Sequence, residues 1–453
     1  MILRRIIRTI AVATAIAPYG LAQTKSEHVT ASRPVAVWPS GPLDVVVAFD
    51  KTVGLSTATS LVGKSIPYFD PAGTANDRMA APRPLGSLRI VGARLTDAGR
   101  TLTLATDPHP RLARYVVPLP DATGNPATKA SAVGETSYDL TGVEVAWSDE
   151  GSPDAQPRWT GWWPALDLEA IRRLTRDSKR HEDGLAILAK PGRLVLSALV
   201  RLPKGNVTVY IESSQPIEEA IVGDVQAELT APTTPAESYR ALLKMPVEGD
   251  PLFLSITCRT AANNRPFSLR VSYRTGEDKT DRALERDQLI VPWAPLPSTA
   301  ATAPLVVPDL AGGDAARGRT IFNGEQARCA QCHAIKGQGG KVGPDLTDIG
   351  KKGGADLYRA IAAPSAAIDP EFTSYSVATR NGQVVVGVVR ADGPDAIRVT
   401  DTNAHAVVIS RSEIEQIRPS ANSIMPVGLT GALGDAAVRD LLAFLTDRVA
   451  NKP

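Results

Sequence analysis

Two cysteines three positions apart, with a histidine directly after the second, constrain this chain more than any other feature. They stand in Cys329-Ala330-Gln331-Cys332-His333. Thiols at that spacing share one turn, so each can add across a vinyl group of the same haem. The imidazole that follows then lies under the iron as its proximal ligand. A redox dithiol would not need the histidine. A zinc site needs about four ligands, and the one other cysteine, Cys258, lies far upstream. The motif therefore implies one covalent haem c on Cys329 and Cys332, with His333 on the metal.

The N-terminus agrees with such chemistry. Arg4, Arg5 and Arg8 precede an apolar run from Thr9 to about Pro18, and Gly20-Leu21-Ala22 puts small residues before Gln23. This pattern reads as a cleaved export signal over residues 1–22, and the run is short for a membrane span. The expected location is the periplasm, the cell surface or the medium, with no membrane span in the mature chain. Loss of the three leader arginines takes the net charge from +2 to −1. No basic field for nucleic acid is left. Two of the three cysteines belong to haem, so no disulfide framework is available. Cys258, in the alternating run Leu252 to Cys258, reads as a buried structural thiol.

At 453 residues the chain is long enough for about three domains. Residues 30–125 read as short strands parted by turns: Leu43 to Phe49, Ser87 to Val91, Thr101 to Leu104 and Arg114 to Leu119. Residues 135–295 form a second β block, with strands at Leu194 to Leu202, Asn206 to Ser213, Val225 to Leu229, Pro251 to Thr257 and Phe267 to Tyr273. A single helix from Leu166 to Lys179 interrupts it. The expectation is two all-β sandwich-like domains, the second jelly-roll-like. Four of the six tryptophans, Trp147, Trp159, Trp162 and Trp163, crowd into this block and are expected in its core. His181, beside Glu182 and Asp183, is expected on a solvated turn. Residues 296–308, rich in Pro, Ala and Thr, suit a semi-rigid linker.

Residues 309–453 are expected to be a mostly α haem domain. A first helix spans Gly313 to Phe322 and a terminal helix runs from Asp435 to about Val449. Gly343-Pro344-Asp345-Leu346 follows the haem motif. An iron-bound histidine usually donates its second ring N–H to a carbonyl; by resemblance to class I cytochromes c, Pro344 supplies it. Met425, in Ser423-Ile424-Met425-Pro426, is the one methionine beyond the motif and the candidate sixth ligand. His405 is its rival. The 92 positions between His333 and Met425 exceed what a minimal domain needs. The excess, at about 371–418, reads as a small inserted β-sheet, with a hairpin at Asn381-Gly382.

Two family resemblances follow. Leu43 to Asp50, Gly99-Arg100-Thr101-Leu102 and Asp121 to Asn125 loosely resemble bacterial Ig-like domains, which are usually spacers or docking modules. The stretch from about Gly313 to Leu445 resembles the Pirellula/Verrucomicrobium-type haem-binding domain, a cytochrome c variant with a β insert. Its matching pieces are Gly318-Arg319 with Phe322, Cys329 to His333, Gly343 to Thr347, Pro364-Ser365, Gly382 with Gly387, and Ser423 to Pro426. The resemblance implies Cys329 and Cys332 as haem thiols and His333 and Met425 as axial ligands.

The expected function is that of an exported single-electron carrier, with a donor and an acceptor protein as redox partners. Its β domains would dock it or bind a polymer or protein. Two alternatives are the electron-accepting part of a periplasmic dehydrogenase or oxidase, and a haem-based binding or sensing protein. Five histidines and no nucleophile–base pair make an enzyme the weaker expectation. Replacing Cys329 and Cys332 together by Ala should abolish haem staining on a denaturing gel; a stained band would end the covalent reading.

Overall fold

A computed structural model describes residues 32–71, 83–119, 135–150, 157–296 apart from 235, 277 and 279, and 305–447. The expected signal, the Asp121 to Asn125 segment and most of the expected linker lie outside these residues.

The first β block is one antiparallel strand path. Its strands are β1 Pro34–Pro39, β2 Asp44–Phe49, β3 Ser65–Phe69, β4 Gly86–Thr96, β5 Thr101–Thr106, β6 Arg114–Pro118 and β7 Glu135–Tyr138. They pair in the order β1-β2-β5-β4-β3-β6-β7. The first part of β4 pairs with β3 and the second with β5, with a bulge between Ile90 and Gly92. A bulge bends its strand. The two halves, β1-β2-β5 and β3-β6-β7, are thus joined through β4. Between β4 and β5, Asp97, Ala98 and Gly99 all take positive φ, which Gly99 adopts freely and Asp97 more readily than most residues.

The second block is a sandwich around one core. One sheet carries Val143–Asp149, Trp159–Trp163, Gly192–Val200, Ile217–Val222 and Leu252–Thr260; the other carries Gly205–Ser213, Tyr239–Val247 and Leu269–Thr275. Burial alternates strictly along Gly192–Val200, so the period-2 pattern sends Leu194, Leu196 and Ala198 inward. Trp147, Trp162 and Trp163 are buried, and Cys258 is fully enclosed. Burial pushes the Cys258 thiol up to about 12, which leaves it unreactive.

Two expectations fail here. Instead of one helix there are two, Leu168–Leu174 and Lys179–Ala186. The break falls where Asp177 adopts a φ of 67°, incompatible with helix. His181 is 3% exposed, not solvated. Its Nδ1 meets Ser178 Oγ at 2.8 Å, its Nε2 meets the Trp162 carbonyl at 3.0 Å, and its ring stands edge-on to Trp38. Both ring nitrogens are satisfied, so the imidazole is tolerated in the core. The first block's core also takes in Trp162, Ile290, Val291 and Trp293, so the two β blocks share a wall.

The third part is helical with a β insert. Helices Ala315–Asn323, Gly354–Ala362 and Leu429–Thr446 surround the haem motif. Gly434 takes a φ of 75° and breaks the last of them, so its regular part begins at Asp435. The insert is a five-stranded antiparallel sheet in the order Ala406–Ser410, Ala396–Thr400, Val384–Ala391, Ser374–Thr379 and Ile414–Pro419. One face joins Tyr375, Val377, Val389 and Ile397 in a core with Leu43 of the first block. Arg411 crosses that seam, donating to the Leu43 and Thr106 carbonyls and to Asp44. Among the described residues no helix is long and apolar enough to cross a membrane.

The first and last helices of this part cross in backbone contact. A Cβ at Gly318 would stand 2.0 Å from the Asp440 carbonyl oxygen. Beside the crossing, Arg317 donates two bonds to the Asp440 carboxylate, at 2.7 and 2.9 Å, and the Asp314 amide donates a third at 2.7 Å. Arg317 first, then the Asp314 amide, holds the Asp440 carboxyl below its ordinary value. A depressed carboxyl stabilises the fold above its unfolded pKa of about 4, and that gain is lost as the pH falls through the folded value. Asp440→Asn should therefore flatten the acid limb of stability below about pH 4, measured by thermal melts across pH. Gly318→Ala should destabilise by roughly 1–3 kcal/mol from overpacking, against a helix-propensity gain of about 1 kcal/mol.

Candidate functional site

The haem motif folds as one short helical turn, Cys329–Cys332, with Arg328 at a φ of 52° leading into it. The His333 amide closes the turn on the Cys329 carbonyl at 2.9 Å. The chain then wraps back over the turn through glycines. A Cβ at Gly340 would lie 1.8 Å from the Gln331 carbonyl oxygen, and one at Gly339 would lie 2.2 Å from that of His333. Amides of Gly340, Val342 and Gly343 bond the Ala330 and Cys332 carbonyls. This glycine collar brings Pro344 to the histidine ring.

His333 Nδ1 sits 2.9 Å from the Pro344 carbonyl oxygen. A carbonyl only accepts, so Nδ1 carries the proton and Nε2 keeps its lone pair. Burial lowers the His333 pKa, and the Pro344 bond partly opposes this, so the ring is neutral at neutral pH, the form that binds a metal.

His333, Met425 and Cys329 line one apolar cleft with about 380 Å³ of open space. Phe322, Leu346, Ile361, Leu441 and Leu445 form its walls. The methionine arrives on a loop that the insert holds. The Met425 amide donates to Ser423 Oγ at 3.1 Å, and the Ser423 amide to Ser365 Oγ at 3.0 Å. Ser374 Oγ donates to the Asn422 carbonyl. His405 does not line this cleft: its side chain is 80% exposed, on the turn after Thr400, beside Asp401, whose charge reaches Cys332. Sequence reasoning missed the collar glycines Gly339 and Gly340 and the anchor Ser374. The run of glycines after the motif was the available signal for the first two.

The rival readings of the cysteine pair fare poorly. Cys329 and Cys332 form no disulfide. Burial pushes Cys329 up to about 11, and burial then the Asp401 charge raise Cys332. A redox dithiol needs the opposite shift. Among the described residues no group of three or more His, Cys, Asp or Glu could hold a metal ion, so zinc finds no further ligands. The site fits haem instead: an apolar cleft, a thiol at its wall, and a neutral imidazole with a free Nε2.

The sequence model of the cytochrome c family matches residues 315–448. This part of the chain is therefore a cytochrome c domain, with covalently bound haem c and an electron-transfer role. No curated protein matches the sequence. Among solved structures, a PA14 sugar-binding domain from an RTX adhesin is similar over 34% of this chain and 99% of its own, at 9% identity and a TM-score of 0.26. An anti-sigma factor domain-containing protein is similar over 58% and 82%, at 7% identity and 0.26. Another, from Clostridium clariflavum, is similar over 44% and 68%, at 10% identity and 0.23. Scores this low carry no argument about the β blocks.

Gly343 stacks against the His333 ring: a Cβ there would stand 2.6 Å from His333 Cε1. Gly343→Ala should tilt the imidazole and lower the reduction potential or broaden the haem absorption bands. Spectra and potentials identical to wild type would remove the collar's positioning role.

Proposed function

We propose that this chain is an exported single-electron carrier whose haem is attached at Cys329 and Cys332 and ligated by His333 and Met425. Bound haem c supplies the one-electron couple. Around it, Pro344 holds the His333 proton on Nδ1 and leaves Nε2 for the metal. Met425 offers a thioether from the other element that reaches the cleft. The leucine and phenylalanine walls exclude water, and a dry site favours the less charged, reduced state. With His333 and Met425 both holding the iron, no open position would be left and the potential would be raised, which suits transfer without chemistry on a substrate.

One observation carries this reading: His333 and Met425, 92 positions apart, line the same cleft, and exposed His405 does not. The leader-like sequence before Gln23 supports export, because thioether attachment takes place outside the bacterial cytoplasm. The β blocks act as the body on which the carrier is mounted, and its redox partners are proteins.

Met425→Ala should abolish the near-infrared methionine-to-iron band of the oxidised protein and admit carbon monoxide or cyanide. His405→Ala should leave both unchanged. The reverse pattern would move the sixth ligand to His405. Haem reduction by an added substrate with the purified chain alone would favour the dehydrogenase reading over the carrier.

A further inference from the structure

A second cleft lies on the seam between the first β block and the haem domain's insert. It is a half-open groove, larger than the haem cleft. One wall comes from β3, β4 and the end of β5, through Tyr68, Arg89 and Asp107; the other comes from the insert, through Glu371, Thr373 and Arg390. Clefts at domain interfaces with convergent polar groups are where small ligands bind.

The charges in this cleft are balanced and mostly committed. Arg89 bridges Asp107 at 3.0 Å and also donates to the Ala391 carbonyl. Arg390 forms no ion pair among the described residues. Its guanidinium is fixed by the Val389 and Glu371 carbonyls and lies over the Phe372 ring, and the Glu371 carboxylate shares the cleft with it. Two cations against two acids select no strongly charged ligand.

What remains uncommitted is hydroxyl chemistry. Tyr68 is 2% exposed, yet its hydroxyl makes no hydrogen bond among the described residues. The hydroxyl itself is not enclosed; it reaches the open cleft, where it can donate to and accept from a ligand. The hydroxyls of Ser87 and Thr373 are likewise unbonded among the described residues and line the same space. Each can donate and accept, and the Glu371 carboxylate accepts. Pro108, Pro110 and Pro370 add flat apolar surface.

A ligand matching this surface is uncharged, carries several hydroxyls that donate and accept together, and has a C–H face to lie on proline. We propose that the cleft binds a neutral saccharide, which bridges the first β block and the haem domain. The site is independent of the carrier reading, since none of its groups reaches the haem cleft.

The test is isothermal titration calorimetry of the full haem-loaded chain with glucose, maltose, cellobiose, lactose and sucrose in turn. At least one should bind saturably. Tyr68→Phe and Glu371→Gln should each weaken it by about tenfold, the size of one lost ligand hydrogen bond. Tyr68→Phe should keep the wild-type melting temperature, because the hydroxyl holds nothing within the protein. No binding by any of the five sugars would overturn the proposal, as would affinity unchanged in both variants or a preference for a charged ligand such as citrate. The haem spectrum, read in the same samples, reports on the carrier reading separately.

Discussion

The haem cleft depends on two helices touching backbone to backbone. At Gly318 the first helix of the cytochrome c domain has no Cβ to hold it away from the Asp440 carbonyl of the last. That contact places Phe322 against Phe444, with ring centroids 5.6 Å apart, and brings Leu441 and Leu445 to the cleft. A larger residue would part the helices and open the cleft to water. The Arg317–Asp440 bidentate pair sits directly beside the crossing and fixes the angle of approach.

The insert does two things at once because a sheet has two faces and two ends. One face is apolar and closes on Leu43 of the first β block. At the end nearest the helices, Ser374 and the stretch after Pro419 hold the methionine loop. The strand that anchors the cytochrome to the β body is therefore adjacent to the strand from which Met425 hangs. The same packing makes the seam cleft, since Thr373 and Tyr375 flank the first residue of that strand. Arg418, on the last strand, reaches over the Phe253 ring of the second block, so the insert touches both β blocks.

Local features were legible wherever their cause was local. The hairpin at Asn381-Gly382 forms as its turn residues require, with Gly382 at a φ of 84°. Strands Ala396–Thr400 and Ala406–Ser410 fall where alternation puts them. Features that depend on distant partners were not legible. His181 looked solvated because its neighbours Glu182 and Asp183 are charged. It is buried because Trp162 and Ser178 satisfy its two nitrogens, and neither bond leaves a trace in the residues around it. The single expected helix became two because the positive φ at Asp177 is a backbone choice that composition does not announce. The strands Ile217–Val222 and Tyr239–Val247 went unread, their alternation being masked by charged residues on the exposed face.

The sequence by itself pointed to haem chemistry at Cys329 to His333, because attachment needs only thiols and an imidazole within one turn. It also determined the division into β blocks and a helical end, which periodicity sets locally. Only the tertiary structure decided that Met425 lines one cleft with His333, that the insert packs against both β blocks, and that Tyr68 lines the seam cleft. These outcomes depend on surfaces far apart in the chain packing together, and the energy of that packing is not written in any one segment.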